Sequence, residues 1–298
     1  MLTGAYTLLM TPFGPDLRLD EAGLRELVRT QVAERIHGLA PLGVTGESPS
    51  LTDAEIRRVV EICVDEAGGR CKIAPDTCSC NLDVTIERAK LYAALGSDYV
   101  VVFAPYVVKP TQAGLVDFYQ RVADASPVPI LLHNVPERAA VSIEPKSYAK
   151  LMDHPNIIGT KDGVKDLDHL ARLLHMARGK DFAVLTGKDA TAYPLMAFGG
   201  QGVFTVAGNI VPGVMREMTE LALKAESSKA AEIHDAYYEL FEALRLETNP
   251  MAVKEALALM GLPGGPLRPP LTRLSETNRE LLMRLLDERG LLGRRSAQ

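Results

Sequence analysis

A lysine closing a strongly apolar run is the residue of this sequence best suited to covalent chemistry. Lys161 follows Ile157-Ile158-Gly159-Thr160, so it is expected at the mouth of a buried strand. Burial disfavours an ammonium and lowers its pKa. The neutral amine that results is the nucleophile required to form a Schiff base with a carbonyl. A lysine that only reaches from a strand end to solvent is the competing reading. A second candidate is the loop Gly43-Val44-Thr45-Gly46-Glu47. Its glycines let backbone N–H groups converge on an anion, and Thr45 adds a hydroxyl; an ordinary glycine-rich turn would look the same. Arg138, close behind His133-Asn134-Val135-Pro136, has the planar fork that grips a carboxylate with two hydrogen bonds, although arginines are common on any surface.

These residues need a scaffold that brings strand ends together. Short, mostly continuous apolar runs alternate with helical patterns: Ala5–Met10, Gly38–Leu42, Cys71–Ala74, Tyr99–Phe103, Pro129–His133, Ile157–Lys161, Ala183–Thr186 and Val203–Val206. Continuous apolarity is the mark of strands covered on both faces. Helix starts fall between them, with Asp20, Thr52, Asn81 and Thr111 as caps and Pro145 in a first turn. Eight strands alternating with helices predict a parallel sheet with right-handed crossovers. An open doubly wound sheet normally carries a glycine-rich phosphate loop after its first strand, whereas here Thr11-Pro12-Phe13-Gly14-Pro15-Asp16 follows. We therefore expect an α/β fold, a (β/α)₈ TIM barrel over residues 1–225, with a helical extension over 226–298. In such a barrel function gathers at the C-terminal strand ends. That selects the Gly43 loop, Tyr106, His133, Arg138, Lys161 and Gly187-Lys188-Asp189.

Composition narrows the classes. The 298 residues suit one barrel of roughly 250 residues plus an appendix. The net charge of −5 argues against nucleic acid as a partner; the densest basic stretch, Arg289, Arg294 and Arg295, reads as a solvated tail. No apolar run approaches the roughly 18 residues of a membrane span, and no basic residue precedes the apolar start as a signal peptide requires. Cys63, Cys71, Cys78 and Cys80 lack metal or redox spacing. We expect reduced thiols, no metal, no cofactor and a cytoplasmic location.

The chain resembles the dihydrodipicolinate synthase / N-acetylneuraminate lyase family over nearly its whole length. The resemblance rests on Thr11-Pro12-Phe13, Gly43-Val44-Thr45-Gly46-Glu47-Ser48, Ala104-Pro105-Tyr106, Asn134-Val135-Pro136 and Asn156-Ile157-Ile158-Gly159-Thr160-Lys161. It continues through Leu185-Thr186-Gly187-Lys188-Asp189, Gly199-Gly200-Gln201-Gly202-Val203 and Asn249-Pro250-Met251-Ala252-Val253-Lys254. Any one of these is weak; their order and spacing together are specific. The resemblance implies that Lys161 is the Schiff-base lysine and that Thr45 and Gly46 hold a 2-oxo acid carboxylate. It places Gly187 and Phe204 in the pyruvate pocket and Arg138 against the carboxylate of a second, aldehyde substrate. It also implies a homotetramer or dimer.

Three departures stand out. Val44, Val107 and His133 occupy positions where the synthase branch relays protons through hydroxyls, the last replacing a tyrosine. Asp53 and Ile56 stand where that branch's lysine feedback site would carry histidines. Losing the relay argues against the lysine-pathway condensation but not against imine chemistry, because a histidine transfers protons near neutral pH. A histidine that only hydrogen-bonds the backbone is the rival. The leading expectation is thus a lyase or aldolase acting on pyruvate or another 2-oxo acid, with Lys161 and His133 catalytic. A true synthase with a rebuilt relay and a non-catalytic 2-oxo-acid binder are the alternatives.

Overall fold

The computed structural model describes residues 2–293. Eight strands run parallel: β1 (Gly4–Thr7), β2 (Gly38–Leu39), β3 (Lys72–Ile73), β4 (Val100–Phe103), β5 (Ile130–Asn134), β6 (Ile157–Asp162), β7 (Ala183–Thr186) and β8 (Gly202–Thr205). They pair in the order β3-β2-β1-β8-β7-β6-β5-β4. The remaining seam, between β3 and β4, is joined by the Asp98 and Tyr99 N–H groups, which donate to the Ile73 carbonyl at 2.9 and 3.2 Å, and by a bridge further along. Asp76 bridges in parallel to both Leu42 and Val101, the Val101 N–H donates to the Pro75 carbonyl and the Thr77 N–H to that of Val101, each at 2.9 Å. The sheet closes on itself as a (β/α)₈ barrel with a helical C-terminal part.

The strands are shorter than the apolar runs that announce them. Beyond Thr7, Leu8 and Leu9 still donate singly to the carbonyls of Thr205 and Ala40, so the chain stays buried there without regular pairing. The expected caps form: Asp20, Asn81 and Thr111 each accept a first-turn N–H, and Thr52 makes a reciprocal capping box with Glu55. Three helices lie outside the sequence expectation, the short Ala192–Ala197 among them. Leu167–Ala177 buries Leu170, Leu173, Leu174 and Ala177 between β6 and β7. The single turn Pro136–Ala139 carries Glu137 and Arg138.

Past β8 come the helices Pro212–Leu223, Ser227–Ala243, Met251–Met260 and Glu276–Asp287. Met251–Met260 is tied to the barrel by a buried ion pair. Lys254 Nζ lies 2.6 Å from Glu47 Oε1 with both side chains 2% exposed, and 4.1 Å from the Phe13 ring centre. Nearby, Arg268 stacks on Phe13 and pairs with Glu55. Arg289 donates to the carbonyls of Leu285 and Ala236, so it is a packing residue rather than part of a solvated tail; Arg294 and Arg295 lie outside the described residues. The four cysteines are free thiols, with only Cys80 exposed. No helix among the described residues is long and apolar enough to cross a membrane.

Candidate active site

Lys161 is near the C-terminal end of β6, beside His133 on β5 and Leu185 on β7. Parallel register therefore brings the lysine and the histidine side by side, as two neighbouring strand ends must. Lys161 is 5% exposed. Burial pushes its ammonium down to about 8, against the opposing pull of Asp76. Among the described residues its amine has no hydrogen bond or ion pair; beneath it lies the Phe204 ring, 5.7 Å away, itself stacked on Tyr6. Gly187 borders it on the β7 side. A Cβ added there would sit 3.3 Å from Lys161 Cε, so a side chain would press on the lysine.

His133 is equally enclosed. Its Nδ1 is 2.7 Å from Asp76 Oδ2, and Phe103 meets the ring edge-on at 4.5 Å. Burial and the neighbouring Lys161 charge lower the imidazole pKa, while Asp76 opposes them. Asp76 accepts with its other oxygen from the Cys78 N–H at 2.9 Å.

A cavity of about 90 Å³ joins Lys161, His133, Thr45, Arg138 and Gly187, with Val44, Lys188, Arg245 and Asn249 in the same wall. Five of the seven expected site residues thus converge on one space. Two do not line it. Phe204 supports the lysine from the barrel interior. Gly46 shapes the loop, since a Cβ would fall 2.6 Å from the Leu42 carbonyl oxygen, and its N–H is already spent on that carbonyl at 3.1 Å. The N–H groups of Val44 and Thr45 have no backbone acceptor among the described residues, so the free donors of this loop sit one and two residues before Gly46. Asn249 Nδ2 donates to Thr45 Oγ1 at 2.9 Å and fixes that hydroxyl.

At the mouth, Arg138 donates to the Thr248 hydroxyl at 2.9 Å. Glu137 is met by Lys188 at 3.0 Å, Arg245 at 3.4 Å and Lys165 at 3.6 Å. Through Val44, Arg138 and Asn249 the small cavity adjoins a larger, mainly apolar chamber of about 380 Å³, with Cys78, Phe103 and Tyr106 in its wall. Val107 stands 82% exposed away from both. Of the two feedback positions, Ile56 is 1% exposed within the core and Asp53 pairs with Arg88 from an exposed position.

A barrel with a partnerless buried amine, a loop with unpaired N–H groups and a buried histidine at its strand ends has the parts that Schiff-base lyase chemistry needs. A profile of the dihydrodipicolinate synthetase family matches residues 1–289. The 4-hydroxy-tetrahydrodipicolinate synthase of Methanospirillum hungatei is 40% identical over 290 residues, 96% of this chain and 99% of its own. Dihydrodipicolinate synthase of Acinetobacter baumannii, solved with pyruvate, superposes with a TM-score of 0.95 at 32% identity over 98% of this chain and 100% of its own. The Cyanidioschyzon merolae protein, solved with lysine bound, gives 0.93 at 30% identity over 97% and 99%. The chain belongs to the dihydrodipicolinate synthetase family.

Proposed function

We propose that this enzyme condenses pyruvate with a carboxylate-bearing aldehyde, the reaction for which its synthase relatives are named. The carrying observation is Lys161: a buried amine without a partner, lowered toward neutrality, facing the same cavity as the Thr45 loop. Neutral Nζ attacks the keto carbon and, with one proton taken up from solvent, water leaves, giving a protonated imine. Thr45 and the free N–H groups beside it hold the pyruvate carboxylate. Loss of a proton from the methyl carbon yields an enamine, whose carbon attacks the aldehyde. Arg138 grips the aldehyde's carboxylate from the mouth. Water, or an amine within the product, then attacks the imine carbon and frees Lys161.

The sequence reading ranked a general 2-oxo-acid lyase ahead of the synthase; the names and identities of the relatives reverse that order. One observation keeps a second reading in play. His133 and Val44 replace hydroxyls of the relay, and Lys188, Arg245 and Glu137 crowd the mouth, features that suit aldol cleavage or dehydration of another anionic 2-oxo acid. A non-catalytic binder gains no support, since a receptor has no use for a buried amine near neutrality. We place the enzyme in the cytoplasm, with residues 226–298 as a helical extension of the barrel. We further propose a homo-oligomer, dimer or tetramer, supported by the exposed apolar pair Val107 and Val108; light scattering on the purified chain tests this. The functional test is a panel of aldehydes with pyruvate, aspartate semialdehyde among them, beside cleavage assays on 2-oxo-3-deoxy sugar acids. Condensation with aspartate semialdehyde as the fastest reaction supports the synthase; faster cleavage of a sugar acid establishes the second reading.

A further inference from the structure

The proton-transfer group of this site is a pair, and its second member comes from the far side of the barrel seam. We propose that Asp76 is the positioning residue of a buried dyad in which His133 Nε2 moves one proton between the pyruvyl imine and the acceptor oxygen. The proposal rests on the imine reading of Lys161. His133 Nδ1 and Asp76 Oδ2 are 2.7 Å apart, with the side chains 4% and 3% exposed. Among the described residues Nε2 has no hydrogen-bond partner, and it belongs to a residue lining the same cavity as Lys161. Asp76 does not line that cavity; it acts through the imidazole.

Closing the barrel does not require this carboxylate. The bridges of Asp76 to Leu42 and Val101 are made by its backbone, so any residue could supply them. A buried carboxylate is costly unless its oxygens are satisfied, and here one accepts from Cys78 N–H and the other faces Nδ1. With Nδ1–H donated to the carboxylate, the neutral imidazole keeps its lone pair on Nε2, the form of a general base. The charged and titratable groups around the ring are Lys161 on β6, Asp162 beside it, Asp76 on the segment after β3, and Cys78 behind Asp76. Phe103 on β4 contributes an apolar edge.

The bookkeeping of the step closes within the site. Nε2 takes a proton from the methyl carbon of the imine, breaking that C–H bond and forming the enamine. The enamine carbon bonds to the aldehyde carbon, and the imidazolium returns the proton to the aldehyde oxygen as a hydroxyl. No proton passes to Asp76 in either direction, and no other reactant is needed.

The test uses pyruvate alone in D₂O, where the base exchanges the methyl hydrogens without any aldehyde, followed by NMR at saturating pyruvate across pD. Borohydride trapping runs in parallel. For Asp76→Asn we expect exchange slowed by about 10²–10⁴-fold, the usual range for a lost general base, with imine trapping retained. The amide can donate to Nδ1 and so drive the ring to the tautomer with its hydrogen on Nε2. The acidic limb of the exchange profile should move to lower pD, because the carboxylate that favours imidazolium is gone. Asp76→Glu should recover at least part of the rate. The histidine tautomer in the unaltered enzyme, read by ¹⁵N NMR and assigned against His133→Gln, keeps the test independent of whether these variants fold: Nδ1–H with bare Nε2 is expected. A hydrogen on Nε2, or an Asp76→Asn variant with near wild-type exchange and an unmoved limb, overturns the dyad. An unaltered enzyme that traps no pyruvate overturns the imine reading beneath it instead.

Discussion

Two buried lysines sit at opposite fates in this molecule. Lys161 and Lys254 are 5% and 2% exposed, and burial pushes each down to about 8. Lys254 is fully engaged: Glu47 at 2.6 Å, the Pro266 carbonyl at 2.8 Å and the Phe13 ring at 4.1 Å. Lys161 has no such partner and opens on a cavity. A lowered lysine pKa is therefore no signature of catalysis by itself; a satisfied network produces the same displacement. What separates the two is whether the amine's lone pair can reach a carbonyl carbon. The barrel mouth keeps one amine available, while the C-terminal clamp uses the other to hold Met251–Met260 against the Glu47 loop.

The contrast yields predictions in opposite currencies, rate at the mouth and stability at the clamp. The largest is at the mouth. His133→Phe should lower kcat by about 10²–10⁴-fold while borohydride trapping persists; turnover near wild type would remove the histidine from proton transfer. At the clamp, Lys254→Met leaves Glu47 buried without its counter-charge, and breaking a buried pair from one side costs about 3–5 kcal/mol. Denaturant unfolding should record that loss, with trapping intact in the folded fraction. Arg138→Ala should cost about 1.5–3 kcal/mol in kcat/KM for the aldehyde, the value of a charged hydrogen bond, without loss of trapping; equal loss of pyruvate trapping would assign Arg138 to the other substrate. The smallest effect has the opposite sign. Holding Lys161 at about 8 rather than 10.5 costs at most roughly 3 kcal/mol at neutral pH. A folded pKa below the unfolded one makes this cost complete below about 8 and absent above 10.5. Lys161→Met should therefore raise stability by about 1–3 kcal/mol at pH 7, less the buried contacts it alters, and the gain should vanish toward pH 10.5. An unchanged unfolding curve at pH 7 would mean that the lysine carries no such strain.

Strand-end logic made much of the mouth legible in advance. Lys161, Thr45, Gly187 and Arg138 follow apolar runs, and a barrel brings the ends of such runs together. The partners were hidden, because partnership across a barrel leaves no local spacing. Asp76 and His133 are 57 residues apart, and Glu137 and Lys188 are 51 apart. A charged residue directly after an apolar strand, as in Ile73-Ala74-Pro75-Asp76, is the one signal that could have singled out Asp76. Gly46 shows the converse: its type was read correctly as special, but the reason is close approach to Leu42 rather than an N–H offered to an anion. Strand lengths ran long because burial outlasts regular pairing at Leu8–Met10. Substrate order eluded the sequence for another reason. The hydroxyls that the family resemblance implies are absent at Val44, Val107 and His133, and nothing in that absence names the aldehyde.

The central claim is that, of the three buried lysines among the described residues, Lys161, Lys188 and Lys254, Lys161 forms the imine. Incubation with pyruvate and borohydride, followed by proteolysis and mass mapping of the reduced adduct, tests it directly. The expected adduct is on Lys161, with its yield rising with pH toward about 8 as the amine loses its proton. An adduct on Lys188 or Lys254, or none at saturating pyruvate, would contradict the assignment.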